Sequence, residues 1–143
     1  MSSGTSAMRV DNGDWFLQSI INLVNDSNLR VGIILCVNGL LVFGDLVGGH
    51  KYFKGFINQF VEGRNENING ERLRTSIKAC EKIHIKDRLD RQEILPCYIH
   101  LQNARIFDSN GTLVSGSEGI WWRGRVSEIS GFSLDYINAD AIG

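Results

Sequence analysis

No stretch of this sequence stays apolar long enough to cross a bilayer. The longest runs, Val31 to Val37 with Gly32 inside it and Leu40 to Phe43, fall far short of the roughly 20 residues a membrane helix needs. Residues 1–13 are small and polar with no apolar stretch behind a basic start, so they do not form a secretory signal and read as a flexible leader. The cytoplasm is the expected compartment. Cysteine is scarce: Cys36, Cys80 and Cys97 are odd in number and widely spaced, which fits reduced, mostly buried thiols better than a disulfide framework. Charge of one sign is also missing, because 15 Lys and Arg face 16 Asp and Glu for a net charge of -1 and a pI near 6.3. Nothing sequence-wide therefore draws the chain to nucleic acid or to an anionic membrane, and nucleic acid is not an expected partner.

Chemical signatures are equally sparse. The 16 glycines make no G-x-G-x-x-G or Walker spacing after a strand, so no nucleotide cofactor is expected. The serines, Ser115-Gly116-Ser117 included, lack a nucleophile elbow, and no His-carboxylate pair is placed for general base work. Cys97-x-x-His100 looks like half a metal site, but on a strand residues three apart point to opposite faces, and His50 and His84 bring no ligand cluster nearby. The expectation is a chain that is not an enzyme and carries no metal or other cofactor.

What is present is the composition of a globular protein, with 143 residues, 43% of them hydrophobic and 22% charged, enough for one core in a single domain over 1–143. Asp14 is placed to cap a helix in which Phe16, Leu17, Ile20, Ile21 and Val24 share one face, running to about Asn25. From Leu29 to Val47 the residues become β-branched and apolar around Asn38-Gly39, a pair that accepts the positive φ angles of a two-residue hairpin turn. Both faces of the first strand are largely apolar, with Val31, Ile33, Leu35 and Val37 on one and Ile34 and Cys36 on the other, so it should be central and covered. After Gly48-Gly49, the residues Tyr52, Phe53, Phe56, Ile57, Phe60 and Val61 repeat a helical spacing, and that stripe is read as core.

Residues 62–95 then form a charged helical insertion between the second and third strands. Residues 63–70 read as its loop, and a thin apolar line through Leu73, Ile77 and Cys80 implies a solvated, loosely docked helix. Pro96 closes it. A strand over Cys97 to Phe107, a turn at Asp108-Ser109-Asn110-Gly111, an alternating strand over Gly119 to Ile129 and a short strand through Phe132, Leu134 and Tyr136 complete the chain.

Trp121, Trp122, Arg123 and Arg125 form the one cluster rich in the residue types that dominate interfaces. Alternation puts Ile120, Trp122 and Val126 on one side of the strand and Trp121, Arg123 and Arg125 on the other. Two readings stand: a core Trp122 with merely solvated arginines, or an interaction surface that includes Trp121. Such a surface suits a protein partner or a single-stranded RNA base, and the acidic overall balance favours protein.

Several blocks together resemble the GvpU family of gas vesicle accessory proteins. They are the Asp14-Trp15-Phe16 start, Val37-Asn38-Gly39, Tyr52-Phe53, YIHLQNARIF over 98–107 and WWRGRVSEISGFSL over 121–134, of which the last two are the specific ones. This resemblance implies a non-enzymatic role in gas vesicle assembly or vesicle clustering, through self-association as a homo-oligomer and contact with shell or minor gas vesicle proteins. A second resemblance is to an Sm-like domain. It rests on the opening helix, apolar strand, Asn-Gly turn and Gly44 and Leu46; on Ile99-His100-Leu101-Gln102-Asn103-Ala104; and on Trp122-Arg123-Gly124-Arg125-Val126 with Ile129. The implied fold is α+β, an N-terminal helix plus a strongly bent antiparallel sheet (an Sm-like small barrel) with the charged helical insertion between its second and third strands. The Asp-x-x-Met-Asn segment of the Sm RNA site is absent, so an Sm-like RNA-binding module is the alternative function rather than the leading one.

Overall fold

A computed structural model of the chain describes residues 13–27, 29–62, 70–90 and 95–139. Except for Gly13, the expected leader lies outside the described residues, as does the expected loop except for Gly70. Helix α1 spans Trp15–Asn25, and the Asp14 carboxylate accepts the Phe16 N–H at its start, which satisfies a donor that has no partner within the helix. Strands β1 (Leu29–Val37) and β2 (Leu40–Val47) form the expected hairpin. Asn38 (φ 50°) and Gly39 (φ 85°) take the two left-handed positions of its turn, a backbone that few other residue pairs accept.

Helix α2 covers Gly49–Ile57 and continues as a π-helical turn over Asn58–Glu62. It starts three residues earlier than the aromatic stripe suggests, because Gly48 takes the extended N-cap conformation and frees Gly49 to open the helix. The insertion carries helix α3, Gly70–Asp90. Strands β3 (Tyr98–Phe107), β4 (Leu113–Arg125) and β5 (Gly131–Ala139) follow. At the β3–β4 turn one Asp108 carboxylate oxygen accepts the N–H groups of Asn110 and Thr112. The expected strand over 119–129 differs at both ends. It begins at Leu113 and stops at Arg125, after which Val126–Glu128 forms a 3-10 turn that buries Val126.

All five strands are antiparallel in the order β4-β3-β2-β1-β5, so β1 is internal as its two apolar faces imply. The architecture is α+β, with the N-terminal helix and the helical insertion between the second and third strands where the sequence places them. The sheet is open rather than closed into a barrel, with β4 and β5 as its edges. Register shifts at Gly32/Ile33, Phe43/Asp45 and along β3–β4 introduce the irregularities that bend it.

One face of the sheet packs against α1. Val31, Ile33, Leu35, Val42, Leu46, Ile99 and Leu101 meet Leu17, Ile20, Ile21 and Val24 in one hydrophobic core. Gln18, buried among them, donates from Nε2 to the Pro96 carbonyl at 2.9 Å and ties α1 to the entry of β3. Phe16, expected on the core face, is instead 51% exposed, with its neighbours Leu17 and Gln18 taking the buried positions of that turn. Among the described residues no helix is long and apolar enough to cross a membrane.

Candidate functional site

The face of the sheet opposite α1 carries Tyr98, His100, Trp121, Arg123 and Arg125, with His100 paired to Arg123 and Tyr98 to Arg125 across the β3–β4 ladder. Helices α2 and α3 cover the β3 end of this face. The Tyr52 ring of α2 meets the His100 ring at a tilt, centroids 4.8 Å apart, and Phe53 reaches the rings of both His84 and His100. His100 is only 3% exposed as a result. Helix α3 docks through His84, whose ring also meets those of Tyr98 and His100, and through Glu81, which holds His50 of α2 at 2.9 Å.

Arg123 is the hub of this arrangement. Its guanidinium lies over the Tyr98 ring at 3.9 Å from the centroid, donates from Nε to His100 Nε2 at 3.1 Å and reaches His84 Nδ1 at 3.1 Å. A guanidinium has only donors, so the facing nitrogen of each imidazole accepts and is unprotonated. Burial raises the Tyr52 phenol above its ordinary range, and the nearby Arg123 charge opposes that rise more weakly. His84, His100 and Arg123 converge from three elements far apart in sequence, α3, β3 and β4, with Tyr52 and Phe53 of α2 against the histidine rings.

The four residues singled out from sequence are placed differently from one another. Trp121 sits half-buried beneath α2, so close to Gly55 that a Cβ there would collide with the indole, and its ring meets Tyr52 edge to face. Trp122 packs half-buried against the α1-side core. Arg123 is bound into the cluster just described, and Arg125 is exposed at the end of β4. The structure thus joins Trp121 and Arg123 around α2, with Trp122 on the opposite face.

A second surface escaped the sequence reading. Trp15 is 70% exposed, with Phe16 beside it and Phe132 of β5 next to Phe16, the successive ring centroids 5.8 Å apart. Helical periodicity assigned Phe16 inward, and the only available signal was two adjacent aromatics in a first turn that cannot both face the core.

The family model described as gas vesicle protein GvpU-like matches residues 14–137, from the cap of α1 into β5. This chain belongs to the GvpU-like family. It is on that ground a gas vesicle accessory protein. No curated protein and no solved structure gives a significant match. The GvpU-like match takes in both the histidine–arginine cluster and the Trp15–Phe16 surface.

Proposed function

We propose that this GvpU-like protein works without catalysis, in the cytoplasm, in gas vesicle assembly or in the clustering of vesicles, through self-association and contact with shell or minor gas vesicle proteins. The observation that carries the reading is the family match over residues 14–137. The fold supports self-association as its means. The sheet ends in two different edges, β4 with exposed Leu113 and Val114, and β5 with exposed Ile137. An edge strand offers unpaired N–H and C=O groups to another chain. Because the two edges lie at opposite ends of one sheet, pairing β4 of one copy with β5 of the next is heterologous, and it closes into a ring or runs on as a stack. Arg125 on the β4 edge and the Trp15–Phe16 surface supply the residue types that anchor protein contacts. Of the four sequence candidates, Arg125 is the contact residue in this reading, while Trp121, Trp122 and Arg123 hold the β3–β4 layer in shape.

Sedimentation over a range of protein concentrations, combined with flotation of labelled protein with purified vesicles, tests the proposal. Concentration-dependent assembly and recovery in the floating layer are expected. A strict monomer at high concentration removes the mechanism, and failure to float with vesicles removes the vesicle contact. The strand order behind an N-terminal helix, with Arg123-Gly124 on β4, favours one second reading, an Sm-like RNA-binding module. RNA affinity would fall steeply with added salt through counterion release, whereas apolar edge contacts would not.

A further inference from the structure

Between α2, α3 and the sheet lies a groove of about 480 Å³, within the range of about 300–1,000 Å³ that small-molecule sites occupy. Tyr52, Phe53 and Phe56 of α2 line it together with Ile77 and Ile83 of α3 and Arg123 of β4. We propose that this groove is a binding site for a small anion built on a planar ring, its carboxylate or phosphate held by Arg123 and its ring by the aromatic wall of α2. The proposal does not rest on the gas vesicle reading, although Arg123 stands on β4, one of the two edge strands.

The argument starts from the guanidinium. Of its five N–H donors, two are engaged by His100 and His84, which leaves three. Among the described residues the ion pairs are Arg30–Asp45 and His50–Glu81, so no described carboxylate neutralises Arg123. With no counterion among the described residues, a cation beside largely apolar walls favours an anionic guest, and a planar fork of donors matches an oxyanion with two oxygens. The group is also preorganised. Stacking on Tyr98 and bonding to two imidazoles fix its position, so little side-chain freedom remains to be lost on binding. The surrounding helices add a modest long-range attraction, because α2 and α3 together carry eight Lys and Arg against four Asp and Glu.

The ring requirement follows from the walls. Tyr52, Phe53 and Phe56 present aromatic surface that a bare oxyanion would leave wet, whereas a flat ring covers it. An oxyanion without a ring, or a ring without charge, makes half the contacts.

Titration of the full chain, followed by calorimetry and amide chemical shifts, separates these contributions. Adenosine monophosphate and indole-3-acetate are the probes that carry both parts, adenosine carries the ring alone and inorganic phosphate the oxyanion alone. The expected result is saturable binding of at least one complete probe, at least about tenfold tighter than either half at equal ionic strength. Arg123→Gln should weaken it by roughly 10- to 100-fold. Because Arg123 also helps to dock α3, a second variant guards the test. Ile83 lines the groove yet is 66% exposed, so Ile83→Glu spares the fold while setting a negative charge at the mouth. It should weaken the complete probes and leave adenosine unchanged. The proposal is overturned if neither complete probe saturates, if inorganic phosphate binds as tightly as they do, if Ile83→Glu has no effect, or if a single-stranded oligouridylate binds where both complete probes fail.

Discussion

The two faces of the sheet are built from different chemistry. Toward α1, β1, β2 and β3 present Val, Ile and Leu to a helix that answers with Leu17, Ile20, Ile21 and Val24, and contact there is non-directional burial. Toward α2 and α3, β3 and β4 present Tyr98, His100, Trp121 and Arg123, and the helices answer with Tyr52, Phe53 and His84 through rings and hydrogen bonds of fixed geometry. The difference implies a division of labour, in which the first face holds the fold together and the second positions two helices upon it.

The largest effect that could break this comparison lies in the core. Leu101 is fully buried at the centre of the α1-side face, so Leu101→Ala should lower unfolding free energy by about 2–5 kcal/mol through lost burial and a cavity. Urea unfolding followed by far-UV dichroism would show it as one cooperative shift of the whole molecule. A loss confined to the signal of α2 and α3 would contradict the division.

Next comes the seam between α2 and the sheet. Gly55→Ala improves helix propensity by up to about 1 kcal/mol, but the new methyl collides with Trp121, and overpacking of that kind typically costs about 1–3 kcal/mol. Overpacking should win, and the variant should be less stable than the parent. If the collision is the cause, combining it with Trp121→Phe should cost less than the two single changes added together. Strict additivity in urea midpoints would show that the indole is not the obstacle.

A smaller effect is expected at the outer helix. His84→Ala removes one acceptor of Arg123 and the ring contacts that dock α3, a loss of about 1 kcal/mol. Amide exchange should quicken along α3 while β1 and β2 keep their protection, because the apolar face is untouched. Equal quickening in both would merge the two faces into one cooperative unit.

How much of this was legible in the sequence follows the same division. Period-two alternation and the Asn38-Gly39 turn placed β1, β2 and the core leucines and isoleucines correctly, since burial by hydrophobic pattern is a local property of a strand. Composition likewise marked a charged helix between the second and third strands, which is α3 over Gly70–Asp90. What stayed hidden depends on contacts distant in sequence. His84 follows Leu73, Ile77 and Cys80 along α3, yet an apolar scan stops at Cys80 and gives no sign that Glu81 and His84 make the docking contacts. Arg123 and Arg125 look equivalent in an alternating strand, and only the arrival of two imidazoles from β3 and α3 separates them. The end of β4 at Arg125 was missed for a similar reason. Val126 continues the apolar alternation, but a 3-10 turn carries it into the core instead.

The smallest expected effect concerns polar contacts on the same outer face, at β1, β2 and β5 beyond the Arg123 cluster. The Tyr136 hydroxyl donates to the Asp45 carboxylate, which also meets Arg30 at 3.9 Å and accepts from Asn103 Nδ2 at 3.3 Å. The hydrogen bond to Asp45, followed by burial, raises the phenol above its ordinary value of 10.0. A group whose proton is held more tightly in the folded state contributes stability that is fully present below the unfolded value. That contribution disappears as pH climbs through the raised folded one. Stability should therefore fall above about pH 10, and Tyr52, raised by burial, adds to the slope in the same direction. Tyr136→Phe should cost a little at neutral pH, where the hydrogen bond is lost, and should lessen the alkaline decline without abolishing it. The effect is modest because the phenol is partly exposed and solvent screens its interaction with Asp45. Urea midpoints measured from about pH 8 to about pH 11 check the sign, and a steeper alkaline decline in Tyr136→Phe than in the parent would show that the Asp45 contact does not hold the phenolic proton.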